Sequence, residues 1–500
     1  MSQSDYAKQP LKETDDHAHE NRQWTNWFWQ KPLSYAAAAS WVFIHYMTIG
    51  LVQGYFVSVQ FNLQAKGATF KDQSRLSLAL YPYSFKFFFS PLLDKFYFSK
   101  MGRSKTHIFF GGLVIGSVFT ILGPTVEQMI EEVEITPITI LFAIINTLIC
   151  VVQIAGEAWI LSMFSKETKS KASTFLVVGQ STGVILGYNI FTPLNDVAWL
   201  NDNIFPNDPR KNPLVTHSQF CIFVAVLYFG QIIVNILFLA EERIEKKNEK
   251  TLIQIFSILP KHIFNTHMAK FILYLFASRF FFFMIDFSLD LKLVKNGYLN
   301  ISRSTLSNID TAIYPIVFIL SFSAIYFIKK GNLIRMYHYN MVFLVLTGAY
   351  RYFIYLDIKN NRDYWFTFWA RVLSGVLGGL DCTSMFMIGF FNTIVNKAVG
   401  NTGITCLIAL KNMTASISKT AGLWLISEID YDLMVSICLG LQMFMLIVLY
   451  RYAWILDHKN TKLFDLTIDL DTIREITKQE EEAEKLRKSE SKQSNNPLYA

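Results

Sequence analysis

The sequence predicts an all-α integral membrane protein with about twelve transmembrane helices in two six-helix halves. Three observations carry that prediction. The 500 residues are 52% hydrophobic, 15% aromatic and only 17% charged, a balance too apolar for a soluble domain of this length. The apolar residues fall in runs of about 20, enough for a helix to cross a bilayer, and lack the alternation of barrel strands. A basic and then amphipathic segment, residues 241–268, divides the runs into two sets.

Residues 1–33 are polar and read as a cytoplasmic tail, with Trp24, Trp27, Phe28 and Trp29 placed as interfacial aromatics before the first span. No cleavable signal peptide is visible there. The first half, 34–240, has runs near 34–58, 75–96, 107–126, 136–164, 171–193 and 216–240. The connector 241–268 carries Arg243, Lys246, Lys247 and Lys250, then Leu252, Ile255, Phe256 and Leu259 on one side of a surface-lying helix. The second half, 269–457, has runs near 269–291, 305–328, 337–356, 364–393, 402–426 and 431–456. Residues 458–500 form a charged cytoplasmic tail with Glu481–Lys485 and Glu484–Lys488 helix-supporting pairs. Its Asn496-Pro497-Leu498-Tyr499 matches an adaptor motif too short to separate from chance.

Loops with Lys95, Lys100, Arg103, Lys105, Lys166, Lys169, Lys171, Lys329, Lys330 and Arg335 contrast with the acidic loop of Glu127, Glu131, Glu132 and Glu134. The positive-inside rule therefore places both termini in the cytoplasm. Asn300-Ile301-Ser302 then reads as a glycosylation sequon on the opposite side. The net charge of +7 is explained by the basic loops, so nucleic acid is not implied. All five cysteines fall in predicted spans, which implies no disulfide framework. No metal-ligand spacing, Walker loop or Ser-His-Asp order is present, and no cofactor is expected. Tyr81-Pro82 and Tyr314-Pro315, each after a polar loop, form a weak internal repeat between the halves.

The chain is organised around Tyr81–Lys105, YPYSFKFFFSPLLDKFYFSKMGRSK. Lys86 lies inside a span, where a charge is costly unless it faces water, substrate or a partner. The structural alternative is a lysine snorkelling to the interface. Asp94, Gly102, Arg103 and Lys105 make a charged turn suited to latching neighbouring helices. That turn resembles the loop between the second and third helices of major facilitator transporters. Aromatic-Pro-x-Ser-x-Lys, Pro-Leu-x-Asp and Gly-Arg-x-Lys together resemble the acetyl-coenzyme A transporter family.

A second block, Gln153–Trp159 and Ala172–Asn189, resembles the same family. That family has an acidic residue where Gln153 stands and an aspartate where Glu157 stands. Gly179, Gly183 and Gly187 recur every four residues, a strip for close helix packing. Glu157 and Gln180 lie at membrane depth, as do Arg279, Asp286, Arg371, Asp381, Asn392, Lys411, Asn412 and Lys419 in the second half. Asn392, Gly403, Asn412 and the Leu291–Val294 block also fit the family pattern. Gln180 and Asn412 occupy similar depths in spans five and eleven. Arg279 and Asp286, about two turns apart on one face, suggest an intramembrane pair as the structural alternative to binding.

Taken together, Lys86, Arg279, Arg371, Lys411 and Lys419 exceed the carboxylates at membrane depth, which suits a polyanion held near the midplane between two halves. The candidate binding residues are Lys86, Glu157, Gln180, Arg279, Asp286, Arg371, Asn392 and Asn412. The resemblance implies a carrier bringing cytosolic acetyl-coenzyme A into the endoplasmic reticulum or Golgi lumen, within the lipid bilayer, and leaves a homodimer open. Two alternatives stand beside it: a major facilitator carrier of another organic anion or a sugar-peptide, and a membrane acyltransferase with His45 as base.

Overall fold

The computed structural model describes residues 24–25, 34–98, 101–163, 169–238, 241–242, 266–295, 313, 333–361, 364–378, 383, 386–387 and 400–458. Its residues group into two compact units. One comprises Met1–Lys250 with Leu291–Ala312, the other Thr251–Asp290 with Ile313–Ala500. Six helices among the described residues are long and apolar enough to cross a membrane: Tyr35–Ala65, Arg103–Glu131, Ile135–Ile160, His217–Leu237, Ala269–Leu289 and Tyr431–Ile455. The chain is a multi-pass membrane protein. Large apolar side chains such as Ile121, Val226, Phe444 and Ile447 stay exposed on these helices, as lipid-facing surfaces require.

In the first unit α1 spans Tyr35–Ala65, started by Ser34, whose hydroxyl accepts from the Ala37 N–H. It stops at Gly67, where φ is +104° and the chain turns back. A reciprocal Thr69–Asp72 capping box then opens α2, Phe70–Ser77. The predicted span near 75–96 is not one α-helix. It passes through a 3₁₀ stretch, Leu78–Phe85, before α3, Lys86–Lys95. Pro82 lies inside that stretch, and its missing N–H removes one rung of an α ladder. Gly102, at φ +96°, precedes α4, Arg103–Glu131. Then follow α5, Ile135–Met163, and α6, Lys169–Val184, which runs through a π turn at Ile185–Ile190 into α7, Phe191–Leu194. A short α8, Val197–Asn203, precedes α9, His217–Phe238. Trp24–Thr25 pairs antiparallel with Glu241–Glu242, tying the amino-terminal tail to the start of the connector.

The second unit contains α10, Thr266–Ala277, and most of α11, Phe280–Lys295. It continues with α12, Leu333–Asn361, α13, Tyr364–Gly378, α14, Gly400–Glu428, and α15, Tyr431–His458. The seventh predicted span is thus two helices broken at Ser278–Arg279. The eighth predicted span, apart from Ile313, lies outside the described residues, as do Asn300 and nearly all of the charged tail.

Each unit has its own core, one around Tyr46, Tyr55, Phe119 and Trp159, the other around Phe271, Tyr274, Tyr337 and Met341. Inside the first, α1 and α6 run backbone to backbone. A Cβ at Gly179, Gly183 or Gly187 would collide with the carbonyls of Phe43, Met47 or Leu51. In return, one at Gly50 or Gly54 would strike the carbonyls of Gln180 or Val184. Small residues on both helices permit this approach, which dispersion and weak C–H···O contacts then reward.

The same construction recurs in the second unit. Gly422 of α14 lies against the Met284 carbonyl of α11 as Gly183 lies against Met47. Gln442 of α15 contacts Phe282 as Gln231 of α9 contacts His45. This register corrects the sequence pairing of Gln180 with Asn412. Three residues before the two matched glycines stand Gln180 and Lys419. Gln180 faces Gly50, and Lys419 lies over Phe287, which occupies the corresponding place on α11.

Candidate functional site

In the first unit the Lys86 ammonium is buried, 2% exposed, and its Nζ lies 2.7 Å from Oε1 of Glu157, whose side chain is 31% exposed. The pair joins the first residue of α3 to α5. Two residues singled out separately in the sequence are therefore partners, and the charge of Lys86 is matched within its own unit. Removing either partner of such a pair costs about 3–5 kcal/mol when both are fully buried. Nearby, Gln180 donates to Oε1 of Gln53 at 2.8 Å, and Gln53 donates to the Tyr83 hydroxyl at 3.0 Å. Neither Gln53 nor this chain through α1 was legible from spacing.

His45 is fully buried, stacked on Trp41 with ring centroids 4.8 Å apart, and its Nδ1 lies 2.9 Å from Gln231 Nε2. Its Nε2 faces Gly156, where a Cβ would come within 2.6 Å. Such packing is that of a structural histidine. A further buried network was missed in the sequence: Tyr55 to His217 at 3.1 Å, His217 to Asn62 at 3.2 Å, and Ser58 to Thr192 at 2.9 Å. Among the described residues no group of three or more His, Cys, Asp or Glu could hold a metal ion.

At the charged turn, Gly102 and Lys105 are buried and Arg103 is half-buried at the start of α4. Asp94 belongs to α3, but its side chain lies outside the described residues. The turn is fixed by groups that the sequence reading passed over. Thr106 Oγ1 donates to the Gly102 carbonyl at 2.6 Å and accepts from the Phe98 N–H at 3.2 Å. The His107 ring meets the Leu93 carbonyl at 2.8 Å.

The second unit is built around the break between α10 and α11. Gln442, wholly buried, accepts from the Phe282 N–H at 3.1 Å and donates to the Ala277 carbonyl at 3.2 Å. One side chain thus satisfies a backbone group on each side of the break. Ser278 adds bonds to the Leu275 carbonyl at 3.2 Å and to the Tyr337 hydroxyl at 2.8 Å. Arg279 projects from this junction and is 3% exposed. Its Cζ sits 4.3 Å from the centroid of the Phe283 ring, while Nε and Nη1 have no hydrogen-bond partner.

The sequence alternative of an Arg279–Asp286 pair is corrected here. Asp286 instead accepts from Arg351 of α12 at 2.6 Å. The Arg279 side chain lies over Phe283 instead, and the carboxylate is taken by the arginine of another helix. Arg351 was not among the candidate residues. Its signal was an arginine within a long apolar helix. Lys419 of α14 is half-buried, with Nζ 3.4 Å from the Phe287 ring centroid. A cation over an aromatic face gains about 0.5–2 kcal/mol. Burying an ion costs several kcal/mol even after relaxation. For Arg279 the ring alone does not close that gap. Asn412 is half-buried on α14; the side chain of Arg371 and all of Asp381 and Asn392 lie outside the described residues.

Comparison with known proteins places these features. Residues 40–251 match the family model described as acetyl-coenzyme A transporter 1. The match is confined to the first half of the chain. Its segment contains Lys86, Glu157, Gln180, the charged turn and the glycine strip, whereas Arg279, Asp286 and Lys419 lie beyond it. An uncharacterized membrane protein of Saccharomyces cerevisiae is 29% identical over 218 residues, covering 40% of this chain and 39% of that protein. An uncharacterized protein of Schizosaccharomyces pombe is 31% identical over 184 residues, covering 36% and 34%. The matched region thus spans well under half the length of these relatives.

In fold, the chain resembles a D-xylose-proton symporter, with TM-score 0.52 and 11% identity over 84% of this chain and 98% of that one. It likewise resembles the nucleoside transporter NupG, with TM-score 0.53 and 12% identity over 83% and 99%. The architecture is that of the major facilitator fold. The acetyl-coenzyme A transporter resemblance read from the second and fifth spans falls within the segment matched by the family model.

Proposed function

We propose that the protein is a transporter that carries acetyl-coenzyme A from the cytosol into the endoplasmic reticulum or Golgi lumen by alternating access, with both termini cytoplasmic. The family match supports the substrate class. The observation that carries the reading in the structure is Arg279, a buried guanidinium with two nitrogens lacking hydrogen-bond partners inside a helical membrane unit. A buried cation of this kind is stable when an anion completes it, and acetyl-coenzyme A brings phosphates to such a site. Arg371, Asn392, Asn412 and Gln180 are assigned to the rest of the ligand. Lys86 and Glu157 hold α3 to α5 and are assigned to the frame that the substrate meets. The charged turn of Asp94, Gly102, Arg103 and Lys105 is assigned to switching between states, as a helix end that changes its contacts when one half rocks.

Uptake of labelled acetyl-coenzyme A into proteoliposomes tests the proposal, with coenzyme A, ATP and acetate as competitors. Saturable uptake competed by coenzyme A is expected. Uptake of a different organic anion or a sugar-peptide, with acetyl-coenzyme A inert, would replace the substrate while leaving a carrier. Acetyl transfer without a lumenal compartment would favour the acyltransferase.

A further inference from the structure

We propose that Arg279 and Lys419, presented over Phe283 and Phe287, form a diphosphate-binding subsite contained within the second unit. The inference deepens the acetyl-coenzyme A reading and rests on it for the identity of the ligand. Phe283 and Phe287 are four residues apart on α11, so their rings emerge on one face, about 5–6 Å apart at Cβ. Arg279 covers the first ring at 4.3 Å and Lys419 the second at 3.4 Å. The cations come from different elements, the α10–α11 junction and α14, yet stand over consecutive turns of one helix. That spacing suits two linked phosphates better than a single carboxylate.

The local charge balance points the same way. Arg351 engages Asp286 at 2.6 Å, so that carboxylate already has a cation from α12. With Asp286 engaged by Arg351, the group left for a ligand anion at this face is the Arg279 guanidinium. Arg279 supplies the independent sign of a missing ligand: it is 3% exposed, and its Nε and Nη1 lack partners.

The internal repeat shows that this chemistry is particular to one half. The place of Lys419 over Phe287 is taken in the first unit by Gln180 against Gly50. There the side chain is a neutral amide hydrogen-bonded to Gln53. A glycine offers no aromatic face for an ammonium, whereas Phe287 does, so the pair of differences sets a cation over a ring at membrane depth.

The test measures equilibrium binding to the purified full-length chain of acetyl-coenzyme A, its form lacking the ribose phosphate, S-acetylpantetheine and inorganic pyrophosphate. Lys419→Met keeps an apolar stem on Phe287 and removes the charge. It should weaken both diphosphate-bearing acetyl ligands and pyrophosphate about ten- to hundredfold, leaving S-acetylpantetheine unchanged. Arg279→Gln should do the same, and Arg279→Lys should retain part of the binding. If a variant does not fold, pyrophosphate competition against acetyl-coenzyme A on the unaltered chain provides the second measurement, and its absence overturns the subsite. Unchanged binding in folded variants, or a loss confined to ligands bearing the ribose phosphate, also overturns it. If the unaltered chain ignores every acetyl ligand but binds pyrophosphate through these residues, the subsite stands and the acetyl-coenzyme A reading falls.

Discussion

Replacing Gln442 by leucine should disrupt the junction that holds Arg279. The side chain accepts from the Phe282 N–H at 3.1 Å and donates to the Ala277 carbonyl at 3.2 Å. Leucine fills much of the same volume but satisfies neither backbone group. Leaving one buried polar group unpaired costs about 1–3 kcal/mol, whereas hydrogen bonds between membrane helices average nearer 0.6 kcal/mol because the groups find other partners. With two groups affected, the expected loss is on the order of 1–4 kcal/mol. Thermal unfolding in detergent should therefore rank the unaltered chain above Gln442→Leu. Affinity for acetyl-coenzyme A should fall along with stability as Arg279 loses its fixed position. A leucine variant that unfolds and binds like the unaltered chain would refute the assignment of Gln442 to this junction.

Glu157→Gln strands the Lys86 ammonium and should destabilise the first unit by the lower part of about 3–5 kcal/mol, since Glu157 is 31% exposed on its side chain; restored folded yield in Lys86→Met with Glu157→Met, by size-exclusion chromatography, checks the pairing. Gly183→Ala must push α6 away from the Met47 carbonyl, an overpacking cost of about 1–3 kcal/mol or more; the same alanine at Gly230, which meets nothing within 4 Å, is the control. Gly102→Ala places a Cβ at φ +96°, costing about 1–2 kcal/mol, and should lower transport rate and thermal stability together. Asp94→Asn should slow transport while sparing equilibrium binding; a parallel fall in both would remove the charged turn from the switching role.

The membrane class and the glycine strip were legible because each is periodic in the sequence. Runs of about 20 apolar residues reveal spans, and glycines every fourth residue mark one helix face. What the strip packed against was not legible. Gly50 and Gly54 lie in α1, more than a hundred positions from Gly179–Gly187, and no local rule joins them. Lys86 and Glu157 were each found by their cost in the membrane, but their contact depends on how α3 meets α5. The Arg279–Asp286 inference failed for a related reason: spacing along one helix does not reveal Arg351 of α12, which takes Asp286 at 2.6 Å. A usable signal did exist for Gln231 and Gln442. Each is a lone glutamine in an apolar stretch, VLYFGQIIV and CLGLQMFMLIV, in the sixth and last spans. Each contacts the first span of its own unit, at matching places.

That repeat also locates where the two units have diverged. At the α1–α6 contact, reciprocal glycines bring backbones together and leave Gln180 with only a neutral hydrogen bond. At the corresponding α11–α14 contact, one glycine, Gly422, keeps the close approach at Met284, while Phe287 presents its ring to Lys419 one turn away. In the first unit Lys86 has its own carboxylate, Glu157; in the second, Asp286 is taken by Arg351, while Arg279 and Lys419 lie over the rings of Phe283 and Phe287. Charge balance, rather than the count of basic residues, therefore separates a structural lysine from cations suited to a ligand. Under the proposed reading, a substrate anion would contribute to the second unit what Glu157 contributes permanently to the first. Removing Glu157 should then damage folding with or without substrate, whereas added pyrophosphate should raise the thermal stability of the unaltered chain and lose that effect in Lys419→Met.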